Sequence, residues 1–208
     1  MFVRDIMTPN PVSIHPDATV REGICIMIDN SFEAVPVREN GKIVGILTDW
    51  DVLVHSGVNG SGYVDTVKVS QIMTSDVITI SPDEIIEMAA YHMYFHDVDA
   101  LPVVNKDDEL VGIVTQSDLF RAFVTFMGLK TKGTRITIDV ADRPGVLADI
   151  TRIVKEVGMS IASLSTFVPP DKRRGNVIVR VKSCHAKPLV DRLVEKGYWV
   201  VHVSQVWE

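Results

Sequence analysis

Apolar runs long enough to cross a bilayer are missing from this chain. None approaches the roughly 18 residues of a membrane span, so no membrane partner is expected. The opening residues Met1-Phe2-Val3-Arg4-Asp5 lack a basic stretch leading into an apolar one, so no secretory leader is expected. A basic excess is missing too. Lys and Arg number 21 against 27 Asp and Glu, for a net charge of -6, and a nucleic-acid partner, which needs a basic face, is not expected. Cysteine is scarce. Cys25 and Cys184 lie far apart in apolar or strand-like stretches, where each is expected as a buried, reduced thiol. Their use fits a reducing compartment, the cytoplasm. The phosphate-cradling P-loop, the G-x-S-x-G elbow and the dinucleotide fingerprint are all absent. His92 and His96 share a helix face at metal-binding spacing, but no H-E-x-x-H glutamate supports them and no cysteines cluster nearby. They are expected to pack beside Tyr91, Tyr94 and Phe95. No catalytic residue, metal or required cofactor is expected.

What is present is a repeat. The 208 residues, 46% hydrophobic and 23% charged, suit a globular protein of one to two domains. V-R-D-I-M-T at Val3–Thr8 returns as V-S-Q-I-M-T at Val69–Thr74. At the same offset Val12-Ser13-Ile14 returns as Ile78-Thr79-Ile80, and Ala34-Val35-Pro36-Val37 as Ala100-Leu101-Pro102-Val103. One extra residue in the Asn105–Glu109 turn then shifts the frame. Gly45-Ile46-Leu47-Thr48 matches Gly112-Ile113-Val114-Thr115, and Asp51 matches Asp118. The unit is duplicated.

Each copy predicts β-α-β-β-α. Short strands at Val12–Ile14 and Ile78–Ile80 meet a proline able to begin a helix. Ser81-Pro82-Asp83-Glu84 is a capping-box start. Val20, Ile24, Met27 and Ile28 recur at helical spacing, as do Ile85, Ile86, Ala89 and Met93. Two strands follow in each copy, joined in the first by an Asn40-Gly41 hairpin turn, and a second helix begins after the threonine. Ser56–Gly62, rich in Gly and Ser, predicts a flexible connector.

I-M-T, then A-V-P-V, then G-I-L-T-D-W-D, repeated, resembles a pair of CBS motifs (a Bateman module) over about residues 1–127, with one motif at 1–62 and the other at 63–127. Thr48-Asp49-Trp50-Asp51 and Thr115-Gln116-Ser117-Asp118 each follow a buried strand and open a helix. A threonine three residues before an acid is a capping box. The same geometry presents free N–H groups to an anion. The resemblance implies that Asp51 and Asp118 hold ribose hydroxyls, and that Thr48 and Thr115 face phosphate. It also implies that the adenine lies in the cleft between copies. One site then draws on Thr8, Val12 and Ala34, the other on Thr74, Ile78 and Ala100. Glu33 and Asp99, just before the cleft strands, would repel a polyphosphate but tolerate a cationic ligand such as S-adenosylmethionine. Arg121 follows Asp118 by three residues, where the first copy has Val54, so the Asp118 site is expected to hold a phosphate better. Trp50, whose counterpart is Ser117, suits either stacking on a base or an oligomer contact.

Beyond the polar break at Gly128–Gly133, alternation predicts strands at Arg135–Val140, Ile161–Val168, Asn176–Val181 and Tyr198–Val206. Helices are predicted after Gly145 and over Ala186–Lys196. The order β-α-β-β-α-β is ferredoxin-like, and Pro169–Gly175 is a charged loop. D-R-P-G-V-L with G-M-S-I resembles the ACT domain over residues 134–208. That implies an amino acid or similar small effector at Asp142, Gly145, Val146 and Leu147, with its carboxylate near the helix N-terminus. A domain that only dimerises is the other reading.

The expected fold class is therefore α+β, a CBS pair followed by a ferredoxin-like ACT domain. The domain order is similar to that of the AcuB-type acetoin-utilisation proteins. The expected function is non-catalytic. An adenosyl ligand (AMP, ADP, ATP or S-adenosylmethionine) and a small effector modulate a partner enzyme, and the chain is at least a homodimer. The alternative is a ligand-free subunit of an enzyme complex.

Overall fold

The structure, a computed structural model, describes residues 1–59 and 61–206. The chain divides into two compact units, Met1–Phe120 and Arg121–Glu208.

The first unit begins with a 3₁₀ turn at Val3–Asp5 and strand β1 (Thr8–Pro9). Helix α1 (Val20–Asn30), β2 (Ala34–Glu39), β3 (Lys42–Thr48) and α2 (Asp49–Asn59) complete the first copy. Two 3₁₀ turns, Ser61–Asp65 and Val69–Gln71, lead to α3 (Ile86–His96), β4 (Ala100–Val104), β5 (Leu110–Thr115) and α4 (Gln116–Phe126). β2 and β3 form an antiparallel hairpin, as do β4 and β5. No helix among the described residues is long and apolar enough to cross a membrane.

The two copies exchange their leading segments. β1 pairs not with its own copy but with β5, Thr8 opposite Ile113 and Pro9 opposite Gly112. In return Thr74 bridges Ile46 of β3, exchanging both backbone hydrogen bonds. Packing follows the backbone. Val3, fully buried, joins Ile80, Met93, Leu101 and Val114 of the second copy. Val69 and Ile72 join Val20, Val35 and Leu47 of the first. The glycines of the two G-I-[LV]-T motifs make this possible. A Cβ at Gly45 would overlap the Met73 side chain, and one at Gly112 that of Met7. The I-M-T methionine of each copy therefore lies on the glycine of the other.

Several expectations change. The strands at Val12–Ile14 and Ile78–Ile80 shrink to single parallel bridges, Ile14 to Val37 and Ile80 to Val103. In the first copy Pro11 and Pro16 have no N–H, so the ladder has few donors to extend it. The first helix starts later than Pro16. Thr19 is its N-cap, and the box closes on Glu22, whose carboxylate accepts from the Thr19 N–H at 2.7 Å. Backbone and hydroxyl hydrogen bonds from Thr19 hold the Glu22 carboxyl below the usual range. Ser81–Glu84 is a turn, not a helix start: Glu84 N–H donates to the Ser81 carbonyl at 3.1 Å, and α3 begins after Ile85. The connector expected at Ser56–Gly62 is α2 up to Asn59 and a 3₁₀ turn from Ser61, while Gly60 lies outside the described residues. Cys25 is exposed and Cys184 half-buried, both free thiols. The apolar run around Cys25 is a helix that buries one face only, through Val20, Gly23 and Met27.

The second unit contains β6 (Gly133–Ala141), α5 (Val146–Glu156), β7 (Ile161–Phe167), β8 (Arg174–Val181), α6 (Lys187–Glu195) and β9 (Trp199–Val206). The strands form one antiparallel sheet in the order β7-β8-β6-β9, the ferredoxin-like arrangement. Alternation decides its faces. Ile136, Ile138, Val140, Val177, Val179 and Val181 pack against Ile150, Ile153, Leu189 and Leu193 of the helices, while the residues between them face the other way. The loop expected to run to Gly175 is shorter, because Arg174 already pairs with Ala141 in β8.

The exchange has a measurable consequence. Val3→Ala removes two buried methyl groups and should cost about 2 kcal/mol. In hydrogen exchange the loss of protection should fall on Ala89, Val103 and Val114 of the second copy. Val35, Val37 and Leu47 of the first copy should change less, although it is the first copy's sequence that carries Val3.

Candidate functional site

Two helix N-termini in the first unit are built alike. β3 runs straight into α2 at Thr48. The Thr48 N–H and hydroxyl both donate to Asp51 Oδ2, at 2.9 and 2.7 Å, and the Asp51 N–H donates back to Thr48 Oγ1 at 3.1 Å. β5 runs into α4 at Thr115 in the same way, with distances to Asp118 Oδ2 of 3.0 and 2.8 Å and a return bond of 3.3 Å. All four residues are half-buried. The capping box is therefore formed at both places, and it commits one oxygen of each carboxylate. A backbone bond also ties each helix start to the residue before β2 or β4. Asp49 N–H donates to the Glu33 carbonyl at 3.0 Å, and Gln116 N–H to the Asp99 carbonyl at 2.9 Å. Glu33 and Asp99 are exposed.

The ladder registers gather further residues at these ends. Ala34 stands opposite Thr48, and Ala100 opposite Thr115. The exchanged segments add Thr8 opposite Ile113, two residues before Thr115, and Thr74 opposite Ile46, two residues before Thr48. Val12 is exposed and Ile78 half-buried, each two residues before its copy's parallel bridge. Arg121 is exposed, one turn beyond Asp118 in α4, and Val54 is its exposed counterpart in α2. Trp50 is 67% exposed, a position open to either of the roles its sequence suggests.

In the second unit, Asp142, Gly145, Val146 and Leu147 line one depression of about 420 Å³, together with Thr166 of β7 and Asn176 of β8. Gly145 is the residue before α5, with φ of +86° and no side-chain cap. That conformation is open to glycine and strained for other residues. Within the protein, a Cβ there would approach only the Arg143 guanidinium, at 4.0 Å, so the space above the helix start is clear. Arg143, a lining residue that the sequence reading passed over, donates to Asp149 Oδ2 at 2.8 Å. That hydrogen bond holds its guanidinium pKa above the ordinary value. Its signal in the sequence was slight, an arginine and an acid six residues apart across a turn.

His92 and His96 stack at 5.8 Å, and Tyr91 lies 4.2 Å from Phe95 on the same helix. Among the described residues no three His, Cys, Asp or Glu side chains group as metal ligands.

Comparison with known proteins gives matches on both units. The CBS domain matches residues 3–56 and 69–125, and the ACT domain matches residues 134–193. Homoserine O-acetyltransferase of Methanococcoides burtonii is 37% identical over 120 residues, which are 57% of this chain and 23% of that enzyme. The chain thus spans about a quarter of the length of such relatives. The CBS domain-containing protein YhcV of Bacillus subtilis is 30% identical over 135 residues, 65% of this chain and 92% of YhcV. Among solved structures, the CBS pair of protein MJ0100 in complex with 5′-methylthioadenosine and S-adenosyl-L-methionine is 31% identical with a TM-score of 0.54, covering 59% of this chain and 99% of that one. CBSX2 in complex with AMP is 26% identical with a TM-score of 0.53, covering 59% and 96%. A Vibrio cholerae protein assigned to acetoin utilization (AcuB) is 28% identical with a TM-score of 0.56, covering 62% and 95%.

The capping boxes have a stability role whatever else they do. Thr48→Ala and Thr115→Ala should each lower unfolding free energy by about 0.5–2 kcal/mol in denaturant melts without any ligand. A neutral result at either position would mean that its box contributes nothing as a cap.

Proposed function

Because the chain belongs to the CBS-domain family, carrying two CBS domains followed by an ACT domain, we propose that it is a sensor that binds an adenosyl ligand at the CBS pair and a small effector at the ACT domain. CBS and ACT domains are regulatory, non-catalytic modules, and a regulatory role follows from that. The finer reading rests on one observation above all: two Thr-x-x-Asp helix starts, each joined by a threonine from the exchanged segment. A helix N-terminus favours an anion, hydroxyls can reach phosphate, and a carboxylate at the same helix start is an acceptor suited to ribose hydroxyls. The adenosyl ligands in MJ0100 and CBSX2 support this reading.

At the ACT domain, Asp142, Gly145, Val146 and Leu147 would receive an amino acid or a similar effector, its carboxylate on the α5 N-terminus. The two sites would be coupled by linkage. Each ligand shifts the balance of arrangements only as far as its affinity differs between them. A role in acetoin utilisation, through a regulated enzyme, has the AcuB likeness as its support. The absence of membrane-length helices among the described residues is compatible with a cytoplasmic setting.

A second reading is a ligand-free interaction subunit. Exposed apolar side chains favour it: Leu53 is 61% exposed, Phe95 62% and Tyr94 81%. Surfaces of that kind suit self-association or a partner enzyme, and the chain would be at least a homodimer under either reading.

Calorimetry with AMP and S-adenosylmethionine separates the two. Asp118→Ala should weaken binding more than Asp51→Ala, because Arg121 follows the one and Val54 the other. If neither substitution changes either affinity, the boxes are caps alone. In thermal shift, a ligand at 100 times its Kd should stabilise by about 2.7 kcal/mol. On one sample, Gly145→Ala should abolish the amino-acid shift and keep the nucleotide shift. If no amino acid shifts even the unmodified protein, the ACT domain has no such effector.

A further inference from the structure

Arg180 is a buried cation that has no counter-charge among the described residues. It is the penultimate residue of β8, on the sheet face turned away from the ACT core, and is 3% exposed. Its Nε and Nη1 atoms have no hydrogen-bond partner. Across one ladder it faces Arg135 of β6, and across the other Ser163 of β7. Arg135 adds a second positive charge and, among the described residues, donates to a neutral hydroxyl, Thr137 Oγ1 at 2.7 Å. Asp139, an acid on the same face of β6, already pairs with Arg174 at 2.9 Å.

This arrangement is costly. Like charges directly opposite on a ladder repel, and a buried charge without a partner is among the most destabilising features a fold contains. Burial, and after it the Arg135 charge, lowers the Arg180 pKa from its ordinary value. An arginine nevertheless stays protonated in proteins, so deprotonation cannot relieve the cost.

The chain also places a turn over the pair. Ser163 Oγ–H donates to the Met127 carbonyl at 2.8 Å. A Cβ on Gly128 would stand 3.3 Å from Arg180 Cδ and 3.4 Å from Ser163 Oγ. The turn leading into β6 therefore rests on the methylenes of Arg180, and the Ser163 hydroxyl pins that turn to β7.

We propose that Arg180 and Arg135 bind a small oxyanion, a phosphate or a free carboxylate, beneath the Met127–Gly128 turn. Two oxygens on one centre match the planar fork of a guanidinium. A compact ion needs a smaller opening under the chain's own turn than a side chain from another protein does. The site is separate from the effector depression, whose lining includes neither arginine, and it does not depend on the ligands proposed above. Because the turn precedes β6 directly, occupancy would also set how firmly that turn is held to the sheet.

The test uses the full chain, dialysed into chloride buffer and titrated at constant ionic strength with inorganic phosphate in one arm and acetate in the other. At least one of them should raise the melting temperature saturably above the chloride control, and the arm that does so identifies the anion. Arg180→Met should abolish that response and should melt no lower than the unmodified protein in chloride, because it removes an unpaired charge while keeping the packing of the stem. Arg135→Met should weaken the response at least tenfold, and it stands in if Arg180→Met does not fold. Absence of a saturable response to both anions would overturn the proposal, as would a response that survives both arginine substitutions. If the anions are inert and Arg180→Met disrupts self-association in light scattering, Arg180 instead pairs with a carboxylate of a second copy, and the small-anion site is refuted.

Discussion

The contact between Met7 and Gly112, and its counterpart between Met73 and Gly45, is the constraint on which the first unit depends. A glycine in the middle of each second hairpin strand lets a methionine from the other copy lie flat against the backbone. The threonine that follows each methionine is then carried onto the same ladder as the helix-capping threonine. Packing and site assembly are one event here. A side chain at either glycine would push away the methionine and, with it, Thr8 or Thr74.

The capping boxes at Thr48 and Thr115 show why stability and ligand chemistry are hard to separate at a helix start. The same hydroxyl closes the first turn and lies at the positive end of the helix dipole that an anion would seek. One oxygen of Asp51 and one of Asp118 serve the cap. Because the cap is duplicated with the copy, any ligand chemistry at one helix start has a counterpart at the other.

Much of this architecture was legible in the sequence. The repeat located both hairpins and both helix starts, since Thr-x-x-Asp is a local signal that needs no tertiary partner. Alternation found the ACT strands because one face of that sheet is apolar throughout, from Ile136 to Val140 and Val177 to Val181. The misses share a physical origin in long-range contacts. Val12–Ile14 looks like a strand by pattern, yet its pairing depends on donors that neighbouring prolines lack. Cys25 lies in an apolar run whose exposed side only the packed helix reveals. The exchange of Val3 and Val69 is invisible to a repeat search, which assigns residues to copies by order in the chain. Arg180 fits the alternation as an outward residue, and nothing local says that a turn will cover it.

The exchange also bears on how the molecule is made. During synthesis Val3 leaves the ribosome well before Val114 and the rest of the core that encloses it, so the leading segment cannot reach its final place until β5 has emerged. Until then the first hairpin, β2 with β3, is held by its own residues and by Val69 and Ile72 as they arrive. The first copy can therefore close around the second copy's leader while its own leader is still waiting. A single copy cut from the first unit would have an unfilled groove and an unpaired strand. Two such copies would complete one another only by meeting as separate molecules, and covalent duplication makes that encounter intramolecular, at an effective concentration set by the short link between them.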